Sequence, residues 1–91
     1  MSAPLVFRMH AIQRMAERSI SLENIRQVLE TGERVEDYPD DFPYPSSLVL
    51  GWVEDRPIHI VVARAPEKRI VITVYQPDPA RWMPDFKTRK S

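Results

Sequence analysis

Cysteine is absent from the sequence. That removes disulfides, thiolate metal sites and a cysteine nucleophile together, and it fits a reducing cytosol. Glycine is nearly as scarce, Gly32 and Gly51 being the two, so the glycine-rich loops that cradle phosphates in nucleotide-binding folds are excluded. No run approaches the roughly 20 apolar residues that a membrane span needs. The N-terminus, Met1-Ser-Ala-Pro-Leu-Val-Phe-Arg, also lacks a basic region followed by an apolar core long enough for secretion. The expectation is a soluble, cytoplasmic protein with no membrane partner.

An excess of one charge is lacking too, with 13 basic and 13 acidic residues, but that balance hides a segregation. Residues 1–32 carry four basic and three acidic side chains, residues 33–55 one and seven, and residues 56–91 eight and three. Either the acidic middle and the basic end neutralise each other across the folded surface, or the basic part forms a groove for a phosphodiester.

What is present fits one domain spanning residues 1–91. Its core is expected at about residues 5–86, followed by a basic tail, 87–91, expected to be frayed. The centre of the chain is Ile58 to Tyr75, two β-branched runs separated by Ala65-Pro-Glu-Lys, the pattern of an antiparallel hairpin. Both runs are apolar at nearly every position, so both faces are expected to be covered. If paired residue numbers sum to an even value, His59, Val61 and Ala63 share a face with Val71, Thr73 and Tyr75. The opposite face then sets Ile58, Ile60 and Val62 against Ile70, Ile72 and Val74.

Before the hairpin, a helix is predicted from about Phe7 to Arg18, with Met9, Ile12, Ala16 and marginally Met15 as its apolar stripe. His10, Arg14 and Arg18 recur every four residues and line one edge of it with nitrogen donors. Ser21 is placed to cap a second helix with the stripe Leu22, Ile25, Val28 and Leu29, ended by Thr31-Gly32 through the left-handed conformation glycine adopts cheaply. Glu33 to Tyr38 reads as a charged edge strand whose free side would permit a homodimer by strand pairing. A proline loop carrying Tyr38, Phe42 and Tyr44 follows, and then a strand from Ser47 to Val53 with Leu48, Leu50 and Trp52 on one face. Past Tyr75 the prolines allow at most one helical turn, Pro79 to Met83, anchored by Trp82 and Phe86. The fold class is therefore α+β: two N-terminal helices followed by a four-stranded antiparallel sheet.

Chemistry has few places to sit. Two histidines without metal-ligand spacing argue against zinc or iron, and Asp37, Asp40 and Asp41 lack the calcium-loop pattern and read as solvated charge. No cofactor is expected. Ser46 and Ser47 have no elbow motif. What remains is a metal-independent acid-base and cation arrangement suited to RNA, which needs a base for the ribose 2′-hydroxyl, an acid for the leaving oxygen and cations against the phosphorane charge. Its candidate catalytic parts are His10, Arg18, His59 and Tyr75, with Arg14, Thr73 and Arg89 as substrate-binding parts. The competing bland readings are a solvated His10, and a packed His59 satisfied by a hydrogen bond to Tyr75 or Thr73.

The stretches His10-Ala-Ile-Gln-Arg-Met-Ala-Glu-Arg-Ser-Ile-Ser, Val28-Leu-Glu-Thr-Gly-Glu, Tyr38-Pro-Asp-Asp-Phe-Pro-Tyr-Pro-Ser, Pro57-Ile-His-Ile-Val-Val-Ala and Ile72-Thr-Val-Tyr-Gln-Pro-Asp-Pro-Ala-Arg-Trp resemble the bacterial domain-of-unknown-function family numbered 4258. That family is similar in architecture to the RelE and BrnT ribonuclease toxins and the wider barnase-like group. The resemblance implies a toxin-like, RNA-cleaving domain of a toxin-antitoxin system, with RNA and a cognate antitoxin protein as partners. His10, Arg18, His59 and Thr73 to Tyr75 are the matching positions. A non-catalytic protein-interaction domain of the same fold is the alternative, which would bury the histidines apart and expose Tyr44, Trp82 or Phe86; a small-molecule or metal-dependent enzyme comes third.

Overall fold

The computed structural model describes residues 3–91; Met1 and Ser2, the start of the segment read above for a leader, lie outside them. Regular structure begins earlier than the helical periodicity predicts. Leu5–Phe7 is a strand, β1, parallel to a later strand with Leu5 beside Arg69 and Phe7 beside Val71. Backbone bonds extend the pairing at both ends, Arg69 N–H donating to the Pro4 carbonyl at 2.9 Å and Arg8 N–H to that of Val71 at 3.1 Å. Helix α1 therefore starts at Met9 rather than Phe7 and runs to Arg18.

Ser19 ends α1 in the left-handed conformation, φ 54°. The exposed carbonyls of that end are met from afar: the Arg56 guanidinium donates to the carbonyls of Arg18 at 2.7 Å and Ser19 at 3.2 Å. This satisfies orphan acceptors and sets a cation at the negative end of the helix. Helix α2, Leu22–Thr31, opens on a reciprocal cap. Asn24 N–H donates to Ser21 Oγ at 3.1 Å, and Ser21 N–H to Asn24 Oδ1 at 3.0 Å. Gly32 closes α2 in an extended conformation, φ −75° and ψ 176°, not the left-handed one expected. Glycine is needed there for space, since a methyl would meet the carbonyl oxygens of Val28 and Leu50. Gly51 serves the same helix, its missing methyl making room for Val28, whose Cγ1 would lie 2.7 Å away.

The remaining strands are β2 (Glu33–Tyr38), β3 (Ser46–Val53), β4 (Arg56–Arg64) and β5 (Arg69–Tyr75). The sheet order is β1-β5-β4-β3-β2, with one parallel pair and three antiparallel ones. This corrects the four-stranded antiparallel sheet: the domain is α+β with a five-stranded mixed sheet. Three residues are too few to leave a period-2 signal, and the partner of β1 lies near the far end of the chain, so local pattern could not disclose it.

The hairpin register is even where expected and then shifts. His59 pairs with Tyr75, Ile60 with Val74 and Val61 with Thr73, but a bulge follows, and Val62 pairs with Val71 and Ala63 with Ile70. One extra residue on β5 reverses the side-chain alternation. Val71 thereby joins Ile58, Ile60, Val62 and Val74 on the face under the helices, against Ala11, Ile20, Ile25 and Val28. Ile70 moves to the other face, and Ile72 is only half-buried. Without the bulge, Thr73 and Val71 would have to share one side.

The second face is covered by the C-terminal segment, which folds back over the sheet as far as Lys90. Asp78 starts a hydrogen-bonded turn, its carbonyl accepting from Arg81 N–H at 2.9 Å and Trp82 N–H at 3.1 Å. Residues 81–90 then fold back on themselves, Met83 N–H donating to Thr88 O at 2.8 Å and Lys90 N–H to Arg81 O at 2.9 Å. Trp82 is buried on the sheet, and Phe86 meets Trp52 edge to face with centroids 5.9 Å apart. Lys87 pairs with Glu33 at 3.3 Å and Arg89 with Glu36 at 2.9 Å, so the acidic middle and basic end do meet across the fold. Asp37 and Asp41 are not merely solvated, since they accept hydrogen bonds from the buried Ser47 and Ser46 hydroxyls. No helix of the described residues is long and apolar enough to cross a membrane.

Candidate functional site

Strand β1 stops at Phe7, opposite Val71, so the edge of β5 beyond Val71 has no strand neighbour. Helix α1 runs along one side of that edge and the segment after Tyr75 along the other. Between them lies a groove of about 630 Å³, lined by His10, Arg14, Arg18, Thr73, Tyr75, Gln76, Pro77, Asp78, Arg81, Trp82 and Arg89. The four-residue spacing on α1 gives the first three a common edge, and the β5 bulge leaves Thr73 and Tyr75 alternating onto the other wall.

Of the residues singled out in the sequence, the groove thus collects His10, Arg14, Arg18, Thr73, Tyr75 and Arg89. His59 does not reach it. That imidazole is fully buried on the second face, beneath Tyr75, so two histidines do not open onto one cleft. Its ring nitrogens both have partners: Nε2 lies 2.8 Å from the Phe86 carbonyl and Nδ1 3.1 Å from Tyr75 Oη. A carbonyl can only accept, so Nε2 carries the proton, Nδ1 offers its lone pair and the Tyr75 hydroxyl donates to it. Tyr75 leans over His59 with centroids 5.2 Å apart, and Trp82 meets the imidazole edge to face at 4.6 Å.

Burial pushes His59 below the usual histidine value; the Phe86 hydrogen bond and Glu36 oppose that shift, and Arg89 adds to it. Burial likewise raises Tyr75, with Arg89 pulling the other way. Both groups therefore stand neutral at neutral pH. Glu36 is held low, chiefly by its hydrogen bond from Arg89 and also by that from Tyr38 at 2.5 Å. Desolvation and Glu36 push the Tyr38 phenol up to about 12. Arg89 stacks over Trp82 at 4.5 Å while binding Glu36, so one guanidinium joins the groove wall to the acidic strand.

Positive charge dominates the groove. Arg14 is paired with Glu17 at 3.3 Å and Arg89 with Glu36. Among the described residues, no carboxylate lies in ion-pair range of Arg18 or Arg81. Asp78 is the acidic member, and its Oδ1 already accepts the Ala80 N–H at 2.9 Å. Among the described residues no three His, Asp or Glu side chains gather closely enough to hold a metal ion. The arrangement can bind an anion at its arginines and present one imidazole and one phenol to it.

Sequence reasoning missed Arg81, the Trp82 contact with His59 and the carbonyl of Phe86. The Asp78-Pro-Ala-Arg run, an aspartate before a proline turn, was the available signal for the first; backbone carbonyls leave none. A family model described as Domain of unknown function (DUF4258) matches residues 7–76. No curated protein and no solved structure matches the chain.

Proposed function

The chain belongs to that family of domains of unknown function, and we propose that its groove binds single-stranded RNA and cleaves it without a metal ion. The observation that carries this reading is the convergence of His10, Tyr75, Arg14, Arg18, Arg81 and Arg89, from helix, strand and C-terminal segment, on one groove. Its chemistry matches what 2′-hydroxyl attack on a phosphodiester demands. Guanidiniums bind the phosphate and offset the charge that grows on it, while His10 and Tyr75 supply a proton donor and a proton acceptor. Such a cleavage leaves a 2′,3′-cyclic phosphate on one product and a 5′-hydroxyl on the other.

The purified protein with chelator present is expected to shorten single-stranded RNA and to leave DNA of the same sequence intact, because DNA lacks the 2′-hydroxyl. His10→Ala and Tyr75→Phe should each lower the rate by about 10²-fold or more. Intact RNA after wild-type incubation would remove catalysis. As a toxin, the domain would arrest growth on expression and be relieved by a cognate antitoxin that covers the groove; equal growth for wild type and His10→Ala would remove that role.

A second reading, a non-catalytic protein-interaction domain, is favoured by a different observation. Met9 and Ile12, one turn apart on α1, are 70% and 49% exposed, and Val6 on β1 is 42% exposed. That reading takes these as contact residues; of those named for it in the sequence, Trp82 is buried and Tyr44 and Phe86 are half-buried. Under that reading RNA stays intact while a partner protects α1 from hydrogen exchange.

A further inference from the structure

We propose that Tyr75 acts as the base of the groove by passing its own proton to His59, and that the backbone carbonyl of Phe86 is what sets His59 to receive it. This rests on the ribonuclease reading of the groove. Tyr75 touches the substrate; His59 and Phe86 are positioning residues that act through it.

The direction of the hydrogen bonds carries the inference. Phe86 O accepts the Nε2 proton of His59 at 2.8 Å, which leaves Nδ1 as the acceptor for the Tyr75 hydroxyl at 3.1 Å. The alternative tautomer would set an Nε2 lone pair against the Phe86 carbonyl oxygen, and in a fully buried ring no water compensates. Phe86 keeps its carbonyl on target at some cost, for it is a non-glycine residue in the left-handed region, φ 56°. Such a residue is strained and persists only where its surroundings impose it. Here they do. Asp85 Oδ1 accepts the N–H groups of Lys87 at 2.9 Å and Thr88 at 3.1 Å, and the Phe86 ring is braced on Trp52. Trp82, edge-on to His59, fixes the plane of the imidazole.

The step balances. As the RNA 2′-oxygen bonds to phosphorus, its proton moves to Tyr75 Oη and the Tyr75 proton moves to His59 Nδ1. The bond from phosphorus to the 5′-oxygen breaks, and that oxygen takes a proton from His10. His59 is then an imidazolium with both N–H groups donating, to Phe86 O and Tyr75 Oη; its proton returns through Tyr75 to solvent. The charged groups around it are Glu36, which favours the imidazolium, and Arg89, which opposes it. Phe86, Trp82 and Arg89 all lie beyond residue 76, where the family match ends. The C-terminal segment is thus part of the chemical centre and not only a cover.

Nitrogen-15 NMR of the full-length protein at pH 7 reads the tautomer directly and needs no RNA. The Nε2–H form of His59 is expected; an Nδ1–H form or an imidazolium in the wild type would overturn the proposal. Phe86→Gly and Phe86→Val both remove the ring, but only glycine holds a positive φ without strain. Phe86→Gly should keep the Nε2–H tautomer, and Phe86→Val should mix the two and cleave RNA at least tenfold more slowly than Phe86→Gly. Equal tautomers and equal rates in the two variants would also overturn it. If the spectra follow expectation and the wild type leaves RNA intact, it is the ribonuclease reading that fails. Cleavage that His59→Phe leaves untouched would sink the relay and keep the ribonuclease reading.

Discussion

The two faces of the sheet are closed by different means. Under the helices the contact is aliphatic: Ile58, Ile60, Val62, Val71 and Val74 against Ala11, Ile20, Ile25 and Val28. On the other face His59, Tyr75, Trp82, Phe86, Glu36 and Arg89 are joined ring to ring, ring to carbonyl and ion to ion. Apolar burial is non-directional and sums with area, so the first face supplies stability that tolerates rearrangement. Polar contacts are directional and costly when half-made, so the second face fixes orientation. The groove lies along the sheet edge where the two meet, taking its arginine row from the helix side and its phenol from the polar side.

The strongest way to break this contrast is Ile60→Ala on the aliphatic face, expected to cost about 2–5 kcal/mol by urea denaturation; Ile72→Ala, at a half-buried position, should cost less. Next comes Trp82→Ala. A fully buried tryptophan is worth about 3–5 kcal/mol, but a segment that can lift off by itself limits the loss to its own docking free energy. The global cost should therefore be about 1–3 kcal/mol, with faster amide exchange at Trp82, Met83 and Lys90; equal acceleration in α2 would show that both faces open as one unit. Arg56→Ala removes two donors from the end of α1 and is expected to cost about 1–2 kcal/mol, read as a lower urea midpoint.

Acid sharpens the comparison further. Since His59 is lowered in the fold, the unfolded chain binds more protons below its ordinary value of about 6.5. The stability this neutral ring allows is complete above that pH and is lost as pH falls toward the folded value. Stability should decline from pH 7 to 5 in the wild type and less so in His59→Gln; identical slopes would remove His59 from the acid response. Glu36 acts in a lower window, below the ordinary carboxylate value of about 4.3. The smallest effect is Glu36→Gln at neutral pH, under about 1 kcal/mol at low salt and weaker at high salt, because Arg89 is 59% exposed.

Local chemistry made much of the fold legible. Ser21 announced the start of α2, and the β-branched runs on either side of Ala65 announced the hairpin, because caps and alternation are written in neighbouring residues. The bulge at β5 was not, since Ile70, Val71 and Ile72 are interchangeable apolar residues and only packing against α1 decides which turns inward. Arg56 carries no local sign of its role, because the carbonyls it binds, Arg18 and Ser19, lie far back in the sequence. At the site, the four-residue row on α1 and the alternation of Thr73 and Tyr75 were readable, whereas the depth of His59 depends on Trp82 and Phe86 folding back over it.

The placement of β1 beside β5 has a consequence for assembly. Leu5, Val6 and Phe7 find their neighbour only once Arg69, Ile70 and Val71 exist, so a chain still being synthesised holds its first strand idle while every other element is made. This long separation puts a loop-closure cost on that pairing, and any fragment ending before Arg69 leaves Leu5, Val6 and Phe7 without their neighbour strand, an apolar segment to offer to other chains.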